Sequence, residues 1–288
     1  MLNLSTDQLA HMQSLGWVYF FQFALFTVLA FVSRGRSALQ WKHSLVKSAR
    51  VNWSFIVINM LLAPLTLIAA SAATSTYAKL GIPQIPETFW ASMPIIVPAI
   101  LALILIDFIH YWAHRLMHEP LFWPMHAVHH SDTELNYTSW YRGHAVEGVF
   151  LSLVAIFAAS WFGASPEMVV WVVVARAFHQ QYCHTNIDWT HGKFEPLLAS
   201  PRFHRWHHAE HEAAYGKNLA LIMPIWDHMF GTYYSPGPCN VRTGFDDGPG
   251  DNFLKLMAYP FVEWGRMLGG AFGRNKPAAD IDMQATNN

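Results

Sequence analysis

Three short words concentrate the chemistry of this 288-residue chain: HRLMH (114–118), HAVHH (126–130) and HRWHH (204–208). Residues i, i+3 and i+4 of a helix share a face. His114 and His118 therefore point one way, His126, His129 and His130 form a second face, and His204, His207 and His208 a third. Imidazoles gathered so closely repel one another when protonated. Neutral imidazole is the commonest metal ligand, and metal binding is the chemistry this spacing serves. A closed zinc site takes four ligands, a catalytic one three plus water. Eight histidines exceed the needs of one ion, so two ions are implied. Imidazole suits Zn, Cu, Fe and Ni alike, which leaves the metal open.

The ligand words contain no carboxylate, unlike the Glu and Glu-x-x-His sets of soluble di-iron bundles, and no HExxH protease motif occurs. Metal-bound histidines usually pass their other N–H to a carboxylate or carbonyl. Asp107, Asp132, Glu147 and Asp227 lie close enough in sequence to serve. Asp107 sits two helical turns before His114 on the same face; Asp227 suits a turn or cap equally well. Of the 17 histidines, His11, His43, His191 and His228 stand alone and read as surface or satisfied core residues. His110 and His179 are open, and so is His211, which extends the third face by one turn.

The elements that must position these words are apolar. Hydrophobic residues make up 53% of the chain and charged ones 13%, against about 25% charge in a soluble domain. The formal net charge of −1 gives no footing for a nucleic-acid partner. The two cysteines, Cys183 and Cys239, form no framework and no Cys-based zinc site. The N-terminus lacks a signal-peptide pattern. A spanning helix needs roughly 17–25 residues. Stretches 17–33, 53–73, 94–113, 145–162 and 167–183 qualify, the last weakly because Arg176 interrupts it. GASP (163–166) marks a turn between the last two. Arg34, Arg36, Lys42, Lys47 and Arg50 follow the first stretch, whereas only Lys79 separates the second from the third. By the positive-inside rule the first loop is cytoplasmic. Residues 114–144 and 184–288, with all the histidine words, then share that side. Residues 235–252 read as loop, 253–270 as an amphipathic surface helix, and those after about 274 as disordered.

The words, in this order, resemble the histidine boxes of the fatty acid hydroxylase/sterol desaturase superfamily of integral-membrane di-iron enzymes. The likeness runs over roughly residues 100–232, through DFIHYWAHRLMHE (107–119), FWPMHAVHHSDTELNYTSWYRGHAVE (122–147), HTNI (184–187), SPRFHRWHH (200–208) and WDHMFGT (226–232). It implies iron ligands at His114, His118, His126, His129, His130, His204, His207 and His208, and a ninth at His184. YRGHAVE (141–147) resembles a family R-x-H-P-x-E stretch with Ala145 in place of Pro; His144 is a ligand or a hydrogen-bonding neighbour, the latter favoured.

The expected fold is all-α: an integral membrane bundle of four or five helices with a cytoplasmic histidine-rich di-iron cap. The expected divisions are membrane helices at 1–93, a catalytic domain at 94–234, and a loop, surface helix and tail at 235–288. Asp107, His144, Glu147 and Asp227 are expected around the ligands. The implied activity is O2-dependent hydroxylation or desaturation of a lipid C–H bond, with two Fe2+ ions as cofactor. No iron–sulfur cysteine set, haem attachment motif or GxGxxG fingerprint occurs, so electrons must come from a separate reductase and small carrier. Arg202 and Arg205 are candidate docking charges for it. The alternatives are a membrane dinuclear metal hydrolase and a metal transporter or sensor.

Overall fold

A computed structural model describes residues 17, 20–29, 31–32, 43–245 and 248–272. The N-terminal leader question, Arg34, Arg36 and Lys42 of the basic loop, and the tail after 274 lie outside them. The helices are α1 (Phe20–Leu29), α2 (His43–Lys79), α3 (Glu87–Ala91), α4 (Ile96–Met117), α5 (Trp123–His130), α6 (Ala145–Phe162), α7 (Pro166–Cys183), α8 (Pro201–His207), α9 (Ile225–Phe230) and α10 (Phe253–Phe272). Among the described residues the sole β feature is the isolated bridge between Ala209 and Thr243. The all-α expectation holds.

Among the described residues three segments are long and apolar enough to cross a membrane: Leu45–Leu62 in α2, Ile96–Met117 and Ala145–Phe162. The sequence reading counted four or five. α7 has the length of α6, yet Arg176, His179, Gln180 and Gln181 dilute its apolar content. α2 is longer than expected and takes Lys47 and Arg50 into its first turns.

α2 packs along α6, and α4 along α6 and α7. Their directions alternate. α4 ends, α6 begins and α7 ends at one extremity of the bundle, beside α5 and α8. The opposite extremity is closed by Trp90, Ala102, Ile106, Ala158, Phe162, Met168 and Val172. There the Trp90 indole donates to the Phe162 carbonyl at 2.8 Å and stacks on its ring. The GASP turn forms as its residues require. Gly163 adopts φ 66° as the left-handed cap of α6, and Ser165 caps α7 by accepting from the Met168 N–H.

Candidate metal centre

The words HAVHH and HRWHH each divide between two sites. His114, His118, His126, His130 and His207 form one group, and His129, His184, His204 and His208 the other; within each group the ligand atoms lie within 4.8 Å of one another. In α5 the i, i+4 pair His126/His130 enters the first group while His129, at i+3, enters the second. α8 reverses the pattern: His204 and His208 enter the second group and His207 crosses to the first. The word repeats because each copy gives a pair to one site and a bridgehead to its neighbour. The groups share a wall, with ring centroids 4.4 Å apart for His130–His208 and 5.2 Å for His207–His208.

The tautomers test whether cations fit. His114 Nδ1–H donates to the Leu219 carbonyl at 2.7 Å, and His126 Nδ1–H to Glu147 Oε1 at 2.9 Å. Neutral imidazole carries one proton, so both Nε2 atoms present lone pairs. They face each other at 3.0 Å. The second group repeats this: His184 Nδ1–H donates to the Gln180 carbonyl at 2.7 Å, and its Nε2 lies 3.0 Å from His204 Nε2 and 3.1 Å from His129 Nε2. Converging lone pairs repel unless a positive centre lies among them. Ligands at right angles about an ion with bonds of about 2.1 Å sit about 3.0 Å apart. His118 Nε2 and His207 Nε2 are buried without a protein partner. The donor set fits metal in both groups.

Burial keeps the rings in the ligating form. It lowers the pKa of His118, His126, His129, His130, His204, His207 and His208 well below 6.5, reinforced by repulsion from neighbouring histidines. Burial likewise brings His184 down to about 4.

A backbone segment, 217–223, holds three of the surrounding side chains through its carbonyls. Leu219 O receives His114, Lys217 O receives His207 Nδ1 at 2.9 Å, and Leu221 O receives the Gln180 amide. Two of the expected carboxylates secure this segment and touch none of the nine histidines. Asp107 accepts from the N–H groups of Ile222 and Met223 and from the Trp226 indole, each at 3.0 Å. Asp227 accepts from Leu219 N at 2.7 Å, Ala220 N at 2.9 Å and the Thr232 hydroxyl. Glu147 does contact one of the nine, His126. Asp132 braces the end of α5, accepting from Ser48 and Asn52 of α2 and from Ser139. Burial raises its pKa, but the Arg142 charge and these hydrogen bonds outweigh that and hold it below the usual value.

His144 lies in neither group. It caps α6, accepting from Val146 N at 3.2 Å and donating to the Met257 carbonyl at 3.1 Å. His211 meets Trp206 edge to face and stacks on Tyr234, His110 donates to Ile106 O and His179 to Ala199 O. Arg202 is engaged by Asp188 at 2.7 and 2.8 Å, and Arg205 by Asn186 and the Cys239 carbonyl. A cavity of about 500 Å³ opens beside the groups, lined in part by His118, His130, His207, His208, Trp123 and Phe245. The carbonyl partners of the histidines were invisible in the sequence, since every residue type offers one.

All nine histidines lie within residues 99–232, the part that matches the fatty acid hydroxylase family model. That match takes in just under half of the chain. Among similar proteins, an ornithine lipid hydroxylase of Rhizobium tropici is 33% identical over 185 residues, covering 62% of this chain and 55% of that protein. The human alkylglycerol monooxygenase is 30% identical, covering 44% of this chain and 28% of its own length. A methylsterol monooxygenase of Arabidopsis thaliana is 31% identical, covering 44% and 49%. The chain thus spans about half or less of these relatives. No solved structure matches it.

Proposed function

We propose that the protein oxidises a C–H bond of a membrane lipid with O2 at two iron ions. His114, His118, His126, His130 and His207 hold one ion, and His129, His184, His204 and His208 the other. The observation that carries this reading is the pair of converging imidazole groups with a shared wall. The family-model match and the similarity to a lipid hydroxylase and an alkylglycerol monooxygenase support it. When bound, the irons supply the reduction of O2 that C–H oxidation requires. The chain's own residues do the rest. The carbonyls of Leu219, Lys217 and Gln180 fix the tautomers of His114, His207 and His184, and Glu147 fixes that of His126. Trp123 and Phe245 give the cavity an apolar lining suited to an aliphatic chain.

Hydroxylation of C–H by O2 to give C–OH and water takes up two electrons and two protons. No motif in the chain draws electrons from NAD(P)H, so a separate reductase and small carrier deliver them. Their docking surface does not centre on Arg202 or Arg205, whose guanidinium groups are already engaged. The decisive assay gives the purified protein lipid, 18O2 and NAD(P)H, with and without a reductase and carrier. The expected result is silence until the carrier is added, then one label per product molecule. Loss of two hydrogens without label assigns desaturation. Turnover without O2 would defeat the reading and favour a hydrolase.

The histidine end of the bundle faces the cytoplasm in this proposal, supported by the five Lys and Arg at 34–50 against Lys79 alone in the next connection. Reporter fusions at Gly81 and Ser165 are expected outside, and one at the C-terminus inside. An external C-terminal reporter would reverse the assignment.

A further inference from the structure

α10 has apolar residues on two faces, and α5 and α2 cover only one. Leu256 is fully buried against Val51, Phe55 and Val128. The outward stripe follows helical spacing: Leu254, Phe261, Val262 and Leu268 are 75%, 57%, 46% and 60% exposed. Lys255 and Arg266 flank it on a narrow polar edge, with Glu263 paired to Arg266. A helix that is apolar around most of its circumference and basic along one edge suits a bilayer surface.

Two observations say what covers this stripe. The Trp264 indole donates to the Leu121 carbonyl at 2.7 Å. Leu121 is itself exposed and follows the end of α4, whose Ile96, Val97, Ile100, Leu101 and Leu116 are exposed along a membrane-spanning segment. The apolar surface of the span therefore continues onto α10. Second, Met267 of α10 lines the cavity that reaches His118, His130, His207 and His208. One helix joins lipid-facing surface to the histidine groups.

We propose that the outward face of α10 lies in the bilayer surface, and that the aliphatic chain of a membrane lipid passes from the bilayer beside Met267 into this cavity. The route deepens the proposed lipid oxidation and rests on it for its purpose, but not for its test. The full chain in lipid vesicles receives single cysteines at 254, 261, 268, 255 and 266 for nitroxide labelling; Cys183 and Cys239 are buried. Positions 254, 261 and 268 are expected to be accessible to O2 and protected from a water-soluble nickel chelate, and 255 and 266 the reverse. Equal access of the chelate to all five overturns the membrane contact. So does protection that varies with protein concentration and brings spin–spin broadening, which would mean a second copy.

The route is read separately, without turnover. A phospholipid with a diazirine at its chain end is expected to cross-link to Trp123 or Phe245 on irradiation. Met267→Trp is expected to abolish that cross-link at unchanged metal content, and Met267→Ala to preserve it. A cross-link that survives Met267→Trp overturns the route. If label depth and cross-linking behave as stated but no 18O enters a lipid, the oxidation reading fails and the lipid contact stands.

Discussion

At the scale of single residues, the i+3 histidine of HAVHH and of HRWHH is the informative one. His129 leaves the face of its own pair to join His184, His204 and His208, and His207 leaves His204 and His208 to join the other five-membered group. Substitution should therefore read out group by group. His129→Ala takes a four-ligand group to three, whereas His207→Ala takes a five-ligand group to four. Because a stable closed site needs about four ligands, His129→Ala should lose close to half of the bound metal and His207→Ala distinctly less. Metal analysis of the purified variants, with membrane insertion checked alongside, measures this. Equal loss of all metal from either variant would mean that the groups act as one site.

At the scale of elements, the bundle must hold α4, α6 and α7 in register so that their ends meet α5 and α8. The α6–α7 turn is one point where this depends on a single residue. A Cβ on Gly163 would sit 2.0 Å from the Ile85 carbonyl oxygen, and φ is 66°. The obstacle is backbone, which cannot rotate aside, and the left-handed conformation alone costs a non-glycine residue about 1–2 kcal/mol. Gly163→Ala should lower the melting temperature of the purified protein by several degrees. The metal content of the folded fraction should stay unchanged, because the turn lies at the opposite end from the histidines. An unaltered melting temperature would show that the 83–86 segment yields easily.

At the scale of the whole molecule, a bundle that buries so many imidazoles in neutral form is bound to be acid-sensitive. In the unfolded chain each histidine titrates near 6.5. In the folded metal-free protein burial lowers these values, to about 4 at His184 and well below 6.5 for the other seven whose shifts are given above. The unfolded state therefore binds more protons below pH 6.5, and stability is present above that value and lost as pH falls toward 4. Each such group contributes up to about 1.4 kcal/mol per pH unit within its window. Thermal melts of the metal-free protein from pH 7.5 to 4.5 should show a steep fall beginning near 6.5. A flat profile would contradict the buried neutral cluster.

The sequence by itself determined much of the inventory: eight histidines in three words, the helical character of those words, the apolar α4 and α6, the GASP turn and the helix α10. These rest on spacing, hydropathy and turn chemistry, all of which act over a few neighbouring residues. Tertiary structure alone decided how the words are shared. One helical face at i, i+3 and i+4 spans enough arc for its members to reach two adjacent points, and only the approach of α5, α8 and the end of α7 selects which member goes where. It also decided that Asp107 and Asp227 act on the 217–223 backbone, although proximity in sequence placed them beside the histidines. Backbone carbonyls at Lys217, Leu219 and Gln180 fill the role that carboxylates were expected to share. A carbonyl leaves no mark in a sequence, so its direction becomes known only when the chain is folded.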